Sequence, residues 1–169
     1  MSKLHTTIRA ATEADAASIA EIYNEAVLNS TATFDTEPKS VEERQQWLRS
    51  HDERHPVLVV ESEGTVVGWA SLTSWSERCA YEGTAEVSVY IHKNFRGKGI
   101  GNQIMKQLVE AAKKAGFHCL LARIADGNPQ SIHIHEKFGF RTVGVMHQVG
   151  FKFGRFRDVT LMEKILEQK

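Results

Sequence analysis

Cysteine is scarce in this chain. Cys79 and Cys119 are the two in 169 residues. Two thiols cannot build a disulfide framework, and they fit a reducing compartment. Proline is nearly as rare. Pro38, Pro56 and Pro129 stand far apart and read as punctuation between elements, with no Pro-rich linker, repeat or low-complexity tract between them. No apolar run approaches the roughly 20 residues of a membrane span. The start, Met1-Ser2-Lys3-Leu4-His5, lacks the apolar stretch of a secretory signal. The expectation is a soluble, cytoplasmic protein with no targeting address. Net charge is absent too: 21 Lys+Arg offset 21 Asp+Glu. That balance argues against a nucleic-acid binder, which shows a basic excess or stripe, and against a polybasic membrane anchor.

What is present is ordinary globular material, with 41% apolar and 25% charged residues. The length predicts one domain over 1–169, large enough for a core without staples. Thr7–Ala10 reads as a strand. Thr12, with Asp15 three residues on, opens a helix carrying Ile19, Ile22, Tyr23 and Ala26 at helical spacing. Ser40-Val41-Glu42-Glu43 is a capping box that opens a second helix to about Ser50. Strands 57–61 and 65–73 flank a Glu63-Gly64 turn, and the β-branched run Ala85–Ile91 follows a polar loop. A long amphipathic helix then carries Ile100, Ile104, Leu108, Ala111 and Ala115, with Gly116 at its C-terminal stop. A strand Cys119–Ala125, a short helix from Pro129 to Lys137, and strands near 141–148 and 157–166 complete the chain. The order β-α-α-β-β-β-α-β-α-β-β predicts an α+β fold: a mixed, mostly antiparallel sheet flanked by helices.

One loop carries chemistry. Arg96-Gly97-Lys98-Gly99-Ile100-Gly101 lies between a strand and a helix. Helix N-termini expose unpaired N–H groups, glycines admit close backbone approach, and Arg96 and Lys98 add cations. With Lys93 they gather positive charge, whereas acidic residues concentrate in the early helices. The spacing fits neither the Gly-x-x-x-x-Gly-Lys-Ser/Thr of a P-loop nor the Gly-x-Gly-x-x-Gly of a dinucleotide fingerprint. On the residues alone, a tight glycine turn and a phosphate cradle both remain open.

The loop is also Arg-x-x-Gly-x-Gly. It follows the strand 86–91 and precedes Asn128-Pro129-Gln130-Ser131-Ile132-His133-Ile134-His135-Glu136-Lys137-Phe138-Gly139-Phe140. These three segments, in this order, resemble the GNAT superfamily of acyl-CoA-dependent N-acetyltransferases across nearly the whole chain. The resemblance implies the acyl-CoA N-acyltransferase fold and acetyl-CoA as donor, with no metal. It implies that the strand Ser88, Val89, Tyr90, Ile91 splays from its neighbour and pairs with the pantetheine arm through Val89 and Ile91. The N–H groups of Arg96, Gly97, Lys98, Gly99, Ile100 and Gly101 would wrap the pyrophosphate. Asn128 would hydrogen-bond the pantetheine region, with Ser131 beside it.

An amine attacking a thioester must first lose a proton, since α-amino groups titrate near about 8 and lysines near about 10.4. Glu86 is the candidate base, a carboxylate in an otherwise β-branched strand that must face solvent or a cavity. Its setting resembles the Glu-x-Ser-Val-Tyr stretch of the phosphinothricin and methionine-sulfoximine acetyltransferase branch. His135 is the candidate acid for the departing thiolate; the alternative is a histidine that only packs. His133 and His135, at i and i+2 on a helix, do not share a face and predict no zinc site. Direct transfer is favoured over a cysteine-linked intermediate.

Thr33-Phe34-Asp35-Thr36-Glu37-Pro38 and the tail Val149-Gly150-Phe151-Lys152-Phe153-Gly154-Arg155-Phe156-Arg157-Asp158-Val159 resemble the same branch, with Phe156 where tryptophan is usual. The resemblance implies a small amino acid or analogue as substrate. Phe34, Trp75, Arg78 and Tyr81 would line its pocket beside Glu86, and Arg78 would clamp a carboxylate. The branch usually has an arginine directly after the tryptophan; here Ser76-Glu77 intervene. A peptide or protein acetyltransferase, or a non-catalytic acyl-CoA-binding module, are the other readings. Family resemblance also implies a homodimer through the C-terminal strands.

Overall fold

Local chemistry sets the element ends. Asp15 accepts from the Thr12 N–H at 2.7 Å, one turn ahead of α1 (Ala16–Asn29). Ser40 Oγ accepts from the Glu43 N–H at 3.1 Å while Glu43 reaches back to the Ser40 N–H at 2.6 Å, so the reciprocal cap opens α2 (Val41–Arg49) as its sequence predicts. Glu63 and Gly64 both take positive φ, 50° and 77°. That is the two-residue turn whose twist suits a hairpin, and it joins β2 (Val57–Ser62) to β3 (Thr65–Ser74).

The computed structural model describes residues 5–167. Four of the five residues read above for a leader lie outside them. The remaining elements are β1 (Thr6–Ala10), β4 (Thr84–Ile91), α3 (Ile100–Lys114), β5 (Cys119–Ala125), α4 (Pro129–Lys137), β6 (Arg141–Lys152) and β7 (Arg155–Ile165). They form one seven-stranded sheet in the order β1-β2-β3-β4-β5-β7-β6. The β4–β5 pair is parallel and the other pairs are antiparallel. The mixed α+β sheet is thus the one expected.

Alternation along the central strands divides the core. Ala85 and Val87 of β4, Ala70 and Leu72 of β3, and Leu120 and Ala122 of β5 face α3. There they meet Ile100, Ile104, Met105 and Leu108, all essentially inaccessible. Each such side chain contributes about 1.5–3 kcal/mol on leaving water. The opposite face packs Trp69, Val57 and Val59 against Ile19, Ile22, Tyr23 and Val27 of α1. Because β4 alternates, Glu86, Ser88 and Tyr90 fall on the α1 side.

Two expectations need correction. The buried stripe of α3 continues through Val109 and Ala112, while Ala111 and Ala115 are only half-buried. The cause is the 3.6-residue period, which drifts off a strict four-residue step. The closing strands are also longer than predicted. A bulge interrupts the register between Met146 and Gly150, with Gln148 at φ 57°, and β6 resumes to Lys152. Phe153 and Gly154, both at positive φ, then make a tight turn into β7.

Candidate active site

The parallel ladder between β4 and β5 is short. Thr84, Ala85 and Glu86 pair with Cys119, Leu120 and Leu121, and there the pairing stops. β3 continues to pair with β4 as far as Ile91, and β7 with β5 as far as Ala125. The two strands therefore diverge beyond Glu86, the splay expected of this strand. Backbone groups of residues 87–91 on that side have no β5 ladder partner. Polar main chain left this way needs water or a ligand.

A cavity of about 770 Å³ fills the opening. Val87–Tyr90 form one wall and Ala122–Ala125 the other, with Asn128, Ser131 and His135 of the α4 region behind. The segment Thr31–Asp35 closes it from the α1 side. That segment is irregular but well tied. Tyr23 Oη bonds Thr33 Oγ1 at 2.9 Å and donates to the Asp35 carboxylate. Tyr90 Oη donates to the Ala32 carbonyl at 3.2 Å, and buried Lys152 donates from Nζ to the Thr33 carbonyl at 2.8 Å. Burial pushes the Tyr90 phenol up and the Lys152 ammonium down, so Tyr90 remains a neutral donor. Phe34 is thereby laid against Gly150 of β6, where even a Cβ would collide with the ring.

At the apex of the splay sits Glu86, its side chain 16% exposed. Arg123 of β5 meets it fork to fork, Nε to Oε1 at 2.7 Å and Nη2 to Oε2 at 2.6 Å. The guanidinium also lies over the Trp75 ring, 5.4 Å from its centre. His135 is buried, edge-on to Phe140 at 5.0 Å. Its Nδ1 sits 2.6 Å from the Ser131 carbonyl, which can only accept, so the neutral ring carries its proton on Nδ1 and Nε2 is an acceptor. Desolvation pushes this imidazole below its ordinary range, partly offset by the carbonyl. His133, by contrast, is exposed, so the two histidines do diverge.

Beyond Ile91 the chain turns through Lys93–Phe95 into the glycine loop and α3. Gly97 and Gly99 take φ 74° and 81°, and no atom lies within 4 Å of where a Cβ would project from either. The loop thus presents bare backbone at the first turn of a 15-residue helix, whose leading N–H groups have no intrahelical acceptor. The side chains are less free than the sequence implies. Arg96 pairs with Glu25 of α1 at 2.6 Å and donates to the Ile91 carbonyl at 3.1 Å. Lys98 lies over Phe95, Nζ 4.8 Å from the ring centre. Any anion here meets main-chain donors first. Gly101 packs against Ile134 of α4, 3.2 Å from where its Cβ would stand.

Of the expected substrate residues, Phe34 and Glu86 line the cavity. Trp75 reaches it only through Arg123. Arg78 and Tyr81 are exposed and do not line it. Among the expected cofactor residues, Ser88, Val89, Tyr90, Asn128 and Ser131 line the cavity, and Ile91 leads to the glycine loop. The Asn128 amide already donates to the Ala125 carbonyl at 2.9 Å and to Thr31 Oγ1 at 3.0 Å, which leaves its carbonyl for a ligand. Arg123, Met146 and Val149 were not anticipated. Arg123 had the same signal as Glu86, a charge inside an apolar strand.

A sheet parted between two parallel central strands, with a helix N-terminus at the far end of the gap, defines an acyl-CoA-dependent acyltransferase fold. Residues 8–161 match the acetyltransferase (GNAT) domain family, and the chain belongs to it. It is 39% identical to an L-methionine sulfoximine/L-methionine sulfone acetyltransferase of Salmonella typhimurium, over 96% of this chain and 95% of that one. A GNAT superfamily phosphinothricin acetyltransferase of Sinorhizobium meliloti, solved with acetyl-CoA, superposes with a TM-score of 0.91 at 37% identity, over 95% and 88% of the two chains. A ribosomal-protein-alanine N-acetyltransferase of Brucella melitensis superposes at 0.92 with 42% identity, over 95% and 99%.

Proposed function

We propose that this chain transfers the acetyl group of acetyl-CoA to the amino group of a small amino acid or analogue, of the methionine sulfoximine or phosphinothricin type. The observation that carries the reading is a carboxylate, Glu86, lining the cavity between the splayed β4 and β5, with the glycine loop and the N-terminus of α3 following β4 in the chain. The bare backbone at Gly97 and Gly99 and the unpaired edge of β4 fit a pyrophosphate on a long amide-bearing arm. Val89 and Ile91 would pair with the arm, Asn128 and Ser131 would flank it, and Gly97 to Gly101 would hold the phosphates. Acetyl-CoA supplies the electrophile, an acetyl thioester.

The chain's own groups do the rest. Glu86 takes the proton of the substrate ammonium, directly or through a water. The free N–H groups of β4 beyond Glu86 receive the oxyanion. His135 delivers a proton to the leaving sulfur as imidazolium, because its Nδ1 proton is committed to Ser131. Burial keeps that form scarce at neutral pH, so its contribution to rate is modest and grows as pH falls. Phe34, held on Gly150, sizes the amine pocket.

We also infer a cytoplasmic homodimer. Val145, Phe151, Phe153, Phe156 and Val149 are exposed on the β6–β7 hairpin. By register Val145, Phe151 and Phe156 share the α3 side of the hairpin, whereas Met146, opposite Val159, lies on the cavity side. Free Cys79 and Cys119 suit a reducing compartment. No described helix is long and apolar enough to cross a membrane.

A thiol-release screen over free amino acids, methionine sulfoximine, phosphinothricin and N-terminal peptides tests the substrate class. Turnover of free amino acids or analogues is expected; turnover of peptides alone would overturn the reading in favour of a protein acetyltransferase. In the same assay Glu86→Gln should lower kcat/KM by about 10²–10⁴ and alter its acidic limb. Unchanged activity and pH profile would show that Glu86 is not the base.

A further inference from the structure

Glu86 does not stand free. Both of its oxygens accept from Arg123, at 2.7 and 2.6 Å, in the planar two-point geometry that makes guanidinium–carboxylate pairs strong. The register explains the meeting. Glu86 is opposite Leu121 in the last rung of the parallel ladder, and Arg123 is two residues further along β5, on the same face. Thr73 of β3 is opposite Glu86, and Trp75, two residues on, brings its ring beneath the guanidinium.

The two partners are unequally held. The Glu86 side chain is 16% exposed, and that of Arg123 is 54% exposed. The carboxylate is the more enclosed of the two; the guanidinium is half-exposed, on a long side chain with an aromatic platform. Among the described residues lining the cavity, Arg123 is the one lysine or arginine, and Asp35 and Glu86 are the acids. Arg78, to which the family resemblance assigns the carboxylate clamp, is exposed outside the lining. An amino acid entering this cavity brings an ammonium and a carboxylate together. Its ammonium suits Glu86, and its carboxylate has one cation to meet, which Glu86 already holds.

We propose that Arg123 is a specificity-determining residue that exchanges Glu86 for the substrate's α-carboxylate, so that an amino acid uncaps the base as it binds. This rests on the reading of Glu86 as base and of an amino acid as substrate. The charges balance: one internal ion pair and a hydrated zwitterion become two ion pairs, carboxylate to Arg123 and ammonium to Glu86. An amine without a carboxylate gives Arg123 nothing to exchange for. It meets Glu86 with both oxygens engaged, and the enzyme disfavours it.

The test compares the best free amino acid or analogue from the screen with the amine that lacks only its carboxylate; for methionine sulfone this is 3-(methylsulfonyl)propylamine. Wild type should favour the amino acid by at least tenfold in kcat/KM. Arg123→Gln should shrink that ratio at least tenfold, chiefly through a higher KM for the amino acid, with the KM for acetyl-CoA unmoved as the sign of an intact fold. Arg123→Lys, which keeps the charge and loses the two-point geometry, should recover part of the ratio. A ratio unchanged in Arg123→Gln, or an equal fall for both substrates, overturns the proposal. Failure of the underlying reading shows separately, as Glu86→Gln turning over both substrates at the wild-type rate.

Discussion

His135 illustrates how much a single hydrogen bond decides. A histidine before Glu136 reads in the sequence as an acid poised at sulfur. In the structure its Nδ1 is turned back to the Ser131 carbonyl and its ring is buried against Phe140. The lowered titration has a stability consequence. Below about pH 6.5 the unfolded chain takes up a proton that the native ring refuses, so stability falls as pH falls from there toward the native value. His135→Gln should flatten the decline of Tm between about pH 7 and 5, and a thermal melt series checks it. The same substitution should lower kcat by less than about tenfold near neutrality, short of the 10²–10⁴ that a fully populated acid supplies. At this scale Glu86 was legible in the sequence because a carboxylate among β-branched residues must have a reason. Arg123 satisfied the same criterion, yet only the β4–β5 register reveals its partner.

Elements position these residues, and here a glycine is decisive. Gly150 resumes β6 after the bulge, and Phe34 of the α1–α2 connection occupies the space where its side chain would be. Lys152 and Tyr23 anchor the same connection from two sides. Gly150→Ala should therefore displace the Phe34 ring from the cavity wall. The expected result is a several-fold higher KM for the amine with an unchanged KM for acetyl-CoA, because the glycine loop before α3 is not touched; steady-state kinetics with each substrate varied would separate the two. The helices were readable from capping boxes and periodicity, since both are local. The extent of the closing hairpin was not, because the bulge at Gln148 breaks the alternation that marks a strand.

For the whole molecule, neutral charge coexists with a strongly uneven surface. The β6–β7 hairpin exposes Phe151 and Phe156, packed edge to face at 5.2 Å, and also Val145 and Val149. Large exposed apolar side chains gathered on one hairpin point to an association surface. Phe156→Asp should convert a dimer to a monomer in light scattering. A wild-type monomer at working concentration would refute the association.

The sequence by itself determined the element order, the α+β class, the glycine loop before α3 and the family, because each is written in local spacing or in a contiguous motif. Only the tertiary structure decided which distant residues meet. Glu86 with Arg123, Arg96 with Glu25, and Phe34 with Gly150 are 37, 71 and 116 residues apart in the chain. Pairings at such distances are set by strand register, for Glu86 and Arg123, and by how helix and loop pack on the sheet, for the other two. Neither has a local signature, so the ion pairs of Arg96 and of Glu86 emerge only in the folded chain.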